Sequence, residues 1–394
     1  MKDLGEGTIR RIDWQELTPV VLLLRIFNTA IGIRVLFLSI IGILLTLIIG
    51  YGINCYSNTN LNSQDNRNFQ KPVYIEPLLD LQHLLQPISF REHPVKYSWQ
   101  LVQRSVLVPW DIFSMSGIRL ARSGYDSFFA HISWFVLLLL IWSFFGGMIC
   151  RTITLRLTID QSESGKELWQ FIKQRGTGFL SSVIIIVLEM LVCLILIKLC
   201  GWFFTVPVLD YFVAVLFPIV LLLGFLVMVL AVGLFFGWSL LFAAVSVDGS
   251  DGFDAVSRVL SYLYHRPLHY LVYWTVCGVL GVLGFVFVSI FVEGLVALTC
   301  ELGGFPVQTA IPAFGYLTLP ETYGGLSPPE NFILIWYGMV QLIKPAYTFA
   351  WFWTSSVAIY LLLRRSVDAA PFNEVYQFAP KKARILPEIN INKE

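Results

Sequence analysis

Charged and titratable side chains gather in one stretch of an otherwise apolar chain, SVDGSDGFDAVSRVLSYLYHRPLHY at residues 246–270. His265 and His269 stand four residues apart, and on a continuous helix this spacing places two metal ligands on one face. Pro267 lies between them and interrupts such a helix, because it lacks an N–H and its ring clashes with the preceding turn. The histidines therefore do not predict a metal site.

The three aspartates of this stretch, Asp248, Asp251 and Asp254, recur every third residue. A calcium loop instead takes its first ligands from positions one, three and five. The sequence also lacks the HExxH, GxSxG and Walker A patterns of metalloproteases, hydrolases and nucleotide-binding proteins. We expect no metal ion, no cofactor and no enzymatic activity.

Glu189 is an isolated acidic residue within the apolar run VIIIVLEMLVCLIL. An ionisable group at the centre of a membrane span is costly and usually faces the interior of the helix bundle. Two interpretations stay open for this candidate intramembrane site. Glu189 is either a proton relay or substrate contact, or a protonated carboxyl hydrogen-bonded to a Ser, Thr or Tyr of another span. His131, near the end of a different apolar run, is expected at the membrane interface.

The overall composition places the chain among membrane proteins. Of its 394 residues 56% are apolar and only 13% are charged, whereas a soluble domain has about 25% charged residues. The net charge of +1 gives no basic face for nucleic acid. The expected partners are the lipid bilayer and a cytoplasmic or membrane protein.

Apolar runs of about 20 residues, the length that crosses a membrane, predict the fold class. We expect an all-α integral membrane bundle of about six transmembrane helices, with three in-plane amphipathic helices on the cytoplasmic side. Pro218 and the Lys344-Pro345 pair are expected to break two runs that are too long for one crossing. The predicted spans are residues 35–53, 128–150, 178–199, 220–247, 271–292 and 346–363.

The positions of Lys and Arg give the orientation. Eighteen of the 27 lie in the segments 1–34, 151–177, 248–270 and 364–394, and seven of the other nine lie in the long segment 54–127. Short positive loops stay on the cytoplasmic side, whereas long loops are weakly bound by this rule. We therefore expect both termini in the cytoplasm. The in-plane helices are predicted within 13–34, 162–175 and 251–266, each before an outward span.

The remaining segments are expected on the outer side. Residues 54–127 form an outer loop, in which 73–87 and 105–121 are interfacial helices that cap the bundle, with Trp110 at the headgroup level. Residues 200–219 and 293–345 are further outer segments. A disulfide between two of Cys55, Cys200 and Cys300 is an open alternative to free thiols.

The segment 251–266 has the local pattern of an amphipathic helix. Asp251 is a suitable N-cap, and Asp254 can pair with Arg258 one turn later. The expected apolar face consists of Phe253, Val256, Leu260, Leu263 and Tyr264. The expected partner-docking face consists of Arg258, Ser261, Tyr262 and His265.

Glycines spaced by three in the fifth span, Gly278, Gly281 and Gly284, predict close helix packing. They lack the GxGxxG spacing of a nucleotide-binding loop.

At DGFDAVSR, YLYHRPLHY and IYLLLRRSVDAA the chain resembles a family of uncharacterised bacterial polytopic membrane proteins. In layout alone it is also similar to the membrane domain that accompanies some glycerophosphodiester phosphodiesterases. The first resemblance implies a multi-pass protein of the bacterial inner membrane, and neither implies a catalytic residue.

Three functions remain open at this point. The first is a non-enzymatic membrane scaffold or partner-docking subunit. The second is a transporter or permease subunit in which residues 251–266 act as a coupling-type helix and Glu189 lines a polar path. The third is a lipid-acting membrane enzyme.

Overall fold

A computed structural model describes residues 21–61, 103–122, 125–304 and 328–377. Within these ranges every regular element is helical. The helices are α1 (Val21–Ala30), α2 (Ile33–Leu61), α3 (Val108–Arg122, after a π-helical turn Gln103–Leu107), α4 (Tyr125–Thr158), α5 (Gly165–Phe203), α6 (Leu209–Asp248), α7 (Gly252–His265), α8 (Pro267–Gly303), α9 (Pro328–Gln341) and α10 (Ile343–Asp368).

Six stretches of helix in the described part of the chain are long and apolar enough to cross a membrane. They lie in α2, α4, α5, α6, α8 and the α9–α10 pair. The chain is therefore a multi-pass integral membrane protein with an all-α fold, as the sequence predicts. In-plane orientation of the shorter helices stays a prediction.

Several helices are longer than the sequence predicts. The 40 residues of α6 extend about 60 Å at 1.5 Å per residue, twice the thickness of the hydrocarbon core. This helix continues through Pro218, where the sequence predicts a break. Residues 165–175 likewise form the first turns of α5 and not a separate helix. Ser164 starts α5 through a reciprocal capping box with Glu167.

The centre of the bundle is α10, whose residues 344–364 are all buried. Its aromatic side chains pack closely against those of α4: the ring of Trp142 stacks on Phe349 with centroids 4.4 Å apart and lies 6.1 Å from the ring of Trp353. On the opposite side, the Trp351 indole N–H donates to the Cys277 carbonyl of α8 at 3.1 Å. The core among the described residues is thus filled by large rings.

Helix α3 packs along one side of α4 and α6. Its Trp110 indole N–H donates to the Phe235 carbonyl in α6 at 3.2 Å. The Phe113 ring centroid lies 4.3 Å from that of Trp238 in α6 and 6.4 Å from that of Trp142 in α4. These contacts place α3 beside α4 and α6, and the headgroup position of Trp110 stays a prediction. Residues 73–87, the other predicted cap, lie outside the described residues.

Candidate functional site

The densest polar cluster lies where α6 ends and α7 begins, and we call this end of the bundle the Asp248 end. The Asp248 side chain is only 6% exposed. It accepts a short hydrogen bond from the Tyr360 hydroxyl of α10. It also forms ion pairs at 3.3 Å with Arg258 of α7 and with Arg364 of α10. One carboxylate thus joins three helices.

Helix α7 is fixed to the bundle by further contacts. Asp251 caps its N-terminus by accepting from the Asp254 amide at 2.9 Å, and Arg258 Nε lies 3.1 Å from both Asp254 carboxylate oxygens. Both predictions are confirmed. The hydrogen bond from Arg258 to Asp254 raises the pKa of the guanidinium. Arg258 therefore stays positively charged and keeps both ion pairs.

Tyr262 makes the second clamp between α7 and α10. Its hydroxyl donates to Asp368, and its ring lies 5.6 Å from that of Tyr360. Burial, followed by the hydrogen bond to Asp368, raises the pKa of Tyr262. At neutral pH the phenol is therefore protonated and able to donate.

Arg151 is a fully buried cation beside this cluster. Its guanidinium pairs with Glu163 at 2.6 Å and donates to the carbonyls of Ser246 at 3.3 Å and Tyr376 at 2.7 Å. The same group lies 4.6 Å over the Phe171 ring. Because a buried charge needs several partners, Arg151 fixes the α4–α5 connection against the end of α6.

The segment after α10, residues 369–377, folds back across the turn between α6 and α7. The Tyr376 amide donates to the Val247 carbonyl at 2.8 Å. Its ring covers Gly249, whose φ is +62°, and a Cβ at that glycine would lie 2.4 Å from the ring. The guanidinium carbon of Arg175 lies 5.1 Å from the centroid of the same Tyr376 ring. Only glycine fits this turn without strain.

The docking face predicted on α7 is only partly exposed. Tyr262 is 2% exposed, so an exposed face does not include it, and Ser261 is half-buried. Arg258 is engaged in the two ion pairs, whereas His265 is exposed. On the apolar face, Phe253 and Tyr264 are exposed. The reason is that α7 packs on α5, α6 and α10 through a buried face whose residues mostly lie one sequence position before the predicted ones. The buried face of α7 consists of Gly252, Ala255, Val256, Val259, Tyr262 and Leu263.

No family model, curated protein or solved structure matches this chain. The resemblance to bacterial polytopic membrane proteins consequently stays a prediction, and the site is interpreted from its own geometry.

Glu189, the candidate intramembrane residue, and His131, expected at the membrane interface, lie away from the Asp248 cluster. Glu189 is half-buried in α5 and has no hydrogen-bond or ion-pair partner among the described residues. His131 is buried. At the opposite end of the bundle, Lys344 is buried and forms an ion pair with Glu293. Within the described ranges, no three His, Cys, Asp or Glu side chains are grouped as metal ligands.

Cys200 and Cys300, at the end of the bundle opposite Asp248, are free thiols. The side chain of Cys55 lies outside the described residues.

The sequence does not predict that Arg151, Asp248, Tyr360, Arg364 and Asp368 lie together at one end of the bundle. The local signals are the charged stretch that contains Asp248 and the polar ending RRSVD of the last apolar run.

Proposed function

We propose that this chain is a non-enzymatic membrane scaffold whose Asp248 end docks a soluble protein. The observation that carries the proposal is the solid centre of the bundle. Helix α10 is buried along residues 344–364, and large rings surround it: Trp142, Trp351 and Trp353 are fully buried. In the described part of the chain, this packed aromatic core around α10 favours a rigid support.

The surface offered to a partner is the outward side of α7 and the start of α8. Ser257, His265, Arg266 and His269 are all exposed there. The two clamps, Asp248 with Arg258 and Tyr262 with Asp368, hold this helix in one position. A surface that is already ordered loses little conformational entropy when it binds, so docking costs less free energy.

We further propose that the chain belongs to a family of bacterial polytopic proteins and lies in the inner membrane with both termini cytoplasmic. The Lys- and Arg-rich segments support this orientation. Arg151, Arg175, Arg258 and Arg364 all lie at the Asp248 end. The docking surface would then face the cytoplasm.

A transporter or permease subunit is the second candidate, and Glu189 is the observation that favours it. A half-buried carboxyl without a partner among the described residues is costly in a membrane span unless water, an ion or a substrate reaches it. In that function α7 would act as the coupling-type helix.

Site-specific photo-cross-linking tests the scaffold proposal. A photoreactive amino acid is placed at Ser257 or His265 of α7, and as a control at Val279, which is exposed on the apolar span α8. In living cells the two α7 positions are expected to give one shared cross-linked protein, and Val279 is expected to give none. Absence of any product from both α7 positions, or equal products from all three, would reject docking at this surface.

A further inference from the structure

A cavity of about 560 Å³ lies where the turn between α1 and α2 meets the connection between α4 and α5. Arg25, Thr29 and Gly32 line it from one side, and Arg156 and Ser162 line it from the other. The residues of its rim at the α4–α5 connection are exposed. A solute or lipid can therefore reach the cavity without opening the bundle.

The cavity lies at the Asp248 end of the membrane spans. Arg34, just beyond its rim, donates through Nη1 to the Glu163 carbonyl. Glu163 pairs with Arg151, which in turn bonds the Ser246 carbonyl two residues before Asp248. The cavity is thus at the level where long apolar helices end, which in a bilayer is the level of lipid phosphates.

Two guanidinium groups in this cavity have no carboxylate partner among the described residues. Arg25 and Arg156 are both half-buried and form no ion pair there. The Arg156 guanidinium lies directly over Gly32, where an added Cβ would come within 2.1 Å of Nη1. Asp160 also lines the cavity, so its side chains keep one net positive charge. Two arginines that line one cavity and have no carboxylate partner in the described part of the chain are suited to a phosphate group, because the planar guanidinium can donate two hydrogen bonds to its oxygens.

An apolar surface leads away from the two arginines along α2. Ile33, at the rim, is 87% exposed, and Phe37, one turn further along the same face, is 61% exposed. A free phosphate ion makes no favourable contact with these apolar side chains. The acyl chain of a lipid does, because it covers the apolar surface next to its own headgroup.

We propose that this cavity binds the phosphate group of an anionic phospholipid, held by Arg25 and Arg156, while the lipid's acyl chain lies on Ile33 and Phe37. Asn28 and Ser162, which also line the cavity, supply neutral hydrogen bonds to the headgroup. The assignment does not depend on docking at α7, because it uses residues of α1, α2 and the α4–α5 connection.

The test is the affinity of the purified full chain for fluorescent phosphatidylglycerol in mixed micelles of a neutral detergent. Arg25→Gln and Arg156→Gln are each expected to bind about tenfold more weakly than the unmodified chain, the loss of one charge-assisted contact. Lys173→Gln is the matched control, since it removes one positive charge, Lys173 is exposed on α5 and it does not line the cavity. It is expected to bind as the unmodified chain does.

Two further arms keep the result decisive. Ser162→Glu places a second carboxylate at an exposed position of the rim and is expected to weaken binding as much as Arg156→Gln, even if the arginine variants fold poorly. Glycerol 3-phosphate, which has no acyl chain, is expected not to displace the lipid. If it displaces the lipid at equal concentration, the ligand is a soluble phosphate ester and the lipid assignment is wrong. Equal affinity of all variants would overturn the site itself.

Discussion

The Tyr360 hydroxyl on α10 donates a hydrogen bond to the Asp248 carboxylate at the end of α6, across 112 positions of sequence. The same carboxylate holds Arg258 of α7 and Arg364 of α10. The central helix is thereby joined to the surface that we propose as a docking platform. The stability of that platform is open to direct test.

Asp248→Asn is expected to lower the free energy of unfolding by about 3 kcal/mol, because it removes the charge that two partly buried guanidiniums share. The measurement is an unfolding titration in detergent. Asp251→Asn is the matched control: Asp251 is exposed, and Asn caps a helix as well as Asp, so that variant is expected within about 0.5 kcal/mol of the unmodified chain. Equal losses at both positions would contradict the clamp.

Tyr262 gives the fold a dependence on alkaline pH. Its pKa is raised in the folded state, so the fold favours the protonated phenol. The stability it contributes is complete below the unfolded pKa of about 10 and is lost as pH rises through the higher folded value. Tyr262→Phe is expected to reduce the fall in unfolding free energy above pH of about 10. Tyr211→Phe, at an exposed tyrosine, is expected to leave that fall unchanged, and the same change in both variants would disprove the assignment.

Gly249→Ala is expected to release residues 371–377 from the bundle, because the new Cβ meets the Tyr376 ring. Gly304 is the control, since it has nearly the same left-handed backbone, with φ of +63°, and no described atom lies within 4 Å of a Cβ placed there. Both alanines bear backbone strain of about 1 kcal/mol, but only Gly249→Ala has the clash. Limited proteolysis is expected to cleave the C-terminal segment faster in that variant alone. Matching cleavage rates would rule out the Tyr376 contact.

Gly281→Ala tests the packing of the central helix. A Cβ at Gly281 would lie 2.4 Å from the Trp351 indole nitrogen, whereas nothing lies near Gly278 one turn earlier on the same helix. We expect Gly281→Ala to cost about 1–3 kcal/mol through overpacking. Gly278→Ala is expected to be neutral or stabilising, because alanine favours helix. Thermal unfolding of the two variants compares them, and tolerance of both would contradict a close-packed core.

Glu189→Gln and Glu189→Leu separate the two functions. For a scaffold, both variants are expected to fold and to keep the α7 cross-link. Glu189→Leu is expected to be more stable than the unmodified chain, because it removes from an apolar span a carboxyl that has no partner among the residues described. The readouts are unfolding free energy and cross-link yield. Loss of a cellular phenotype in both variants with unchanged stability would favour the transporter interpretation.

The spans and the local chemistry of α7 could be predicted from sequence, because both depend on neighbours along the chain. Long apolar runs have few alternatives to crossing a membrane. The Asp251 cap and the pairing of Asp254 with Arg258 involve residues three or four positions apart. Patterns between residues this close in the chain can be recognised from a single sequence.

The position of α3 and the Asp248 cluster could not be predicted in the same way. The apolar and aromatic composition around Trp110 suits a membrane interface and a bundle interior equally well. The contact of Trp110 with Phe235, far along the chain, places α3 beside α6, and no pattern near Trp110 predicts it. Tyr262 likewise has the sequence context of an exposed polar residue, and it is the packing of α7 on α10, with the hydrogen bond to Asp368, that buries it. Polar residues in an apolar protein are placed by partners that lie far away in sequence.

Affinity isolation of the full chain from its own membranes in a mild detergent tests the scaffold proposal most directly. The masses and stoichiometry of the co-isolated proteins are measured, together with ATP hydrolysis of the complex. We predict a soluble partner in fixed ratio, lost from the Asp248→Asn variant and retained by Asp251→Asn, without ATPase activity. A stoichiometric ATPase in the complex, retained by both variants, would contradict the scaffold and favour a transporter subunit.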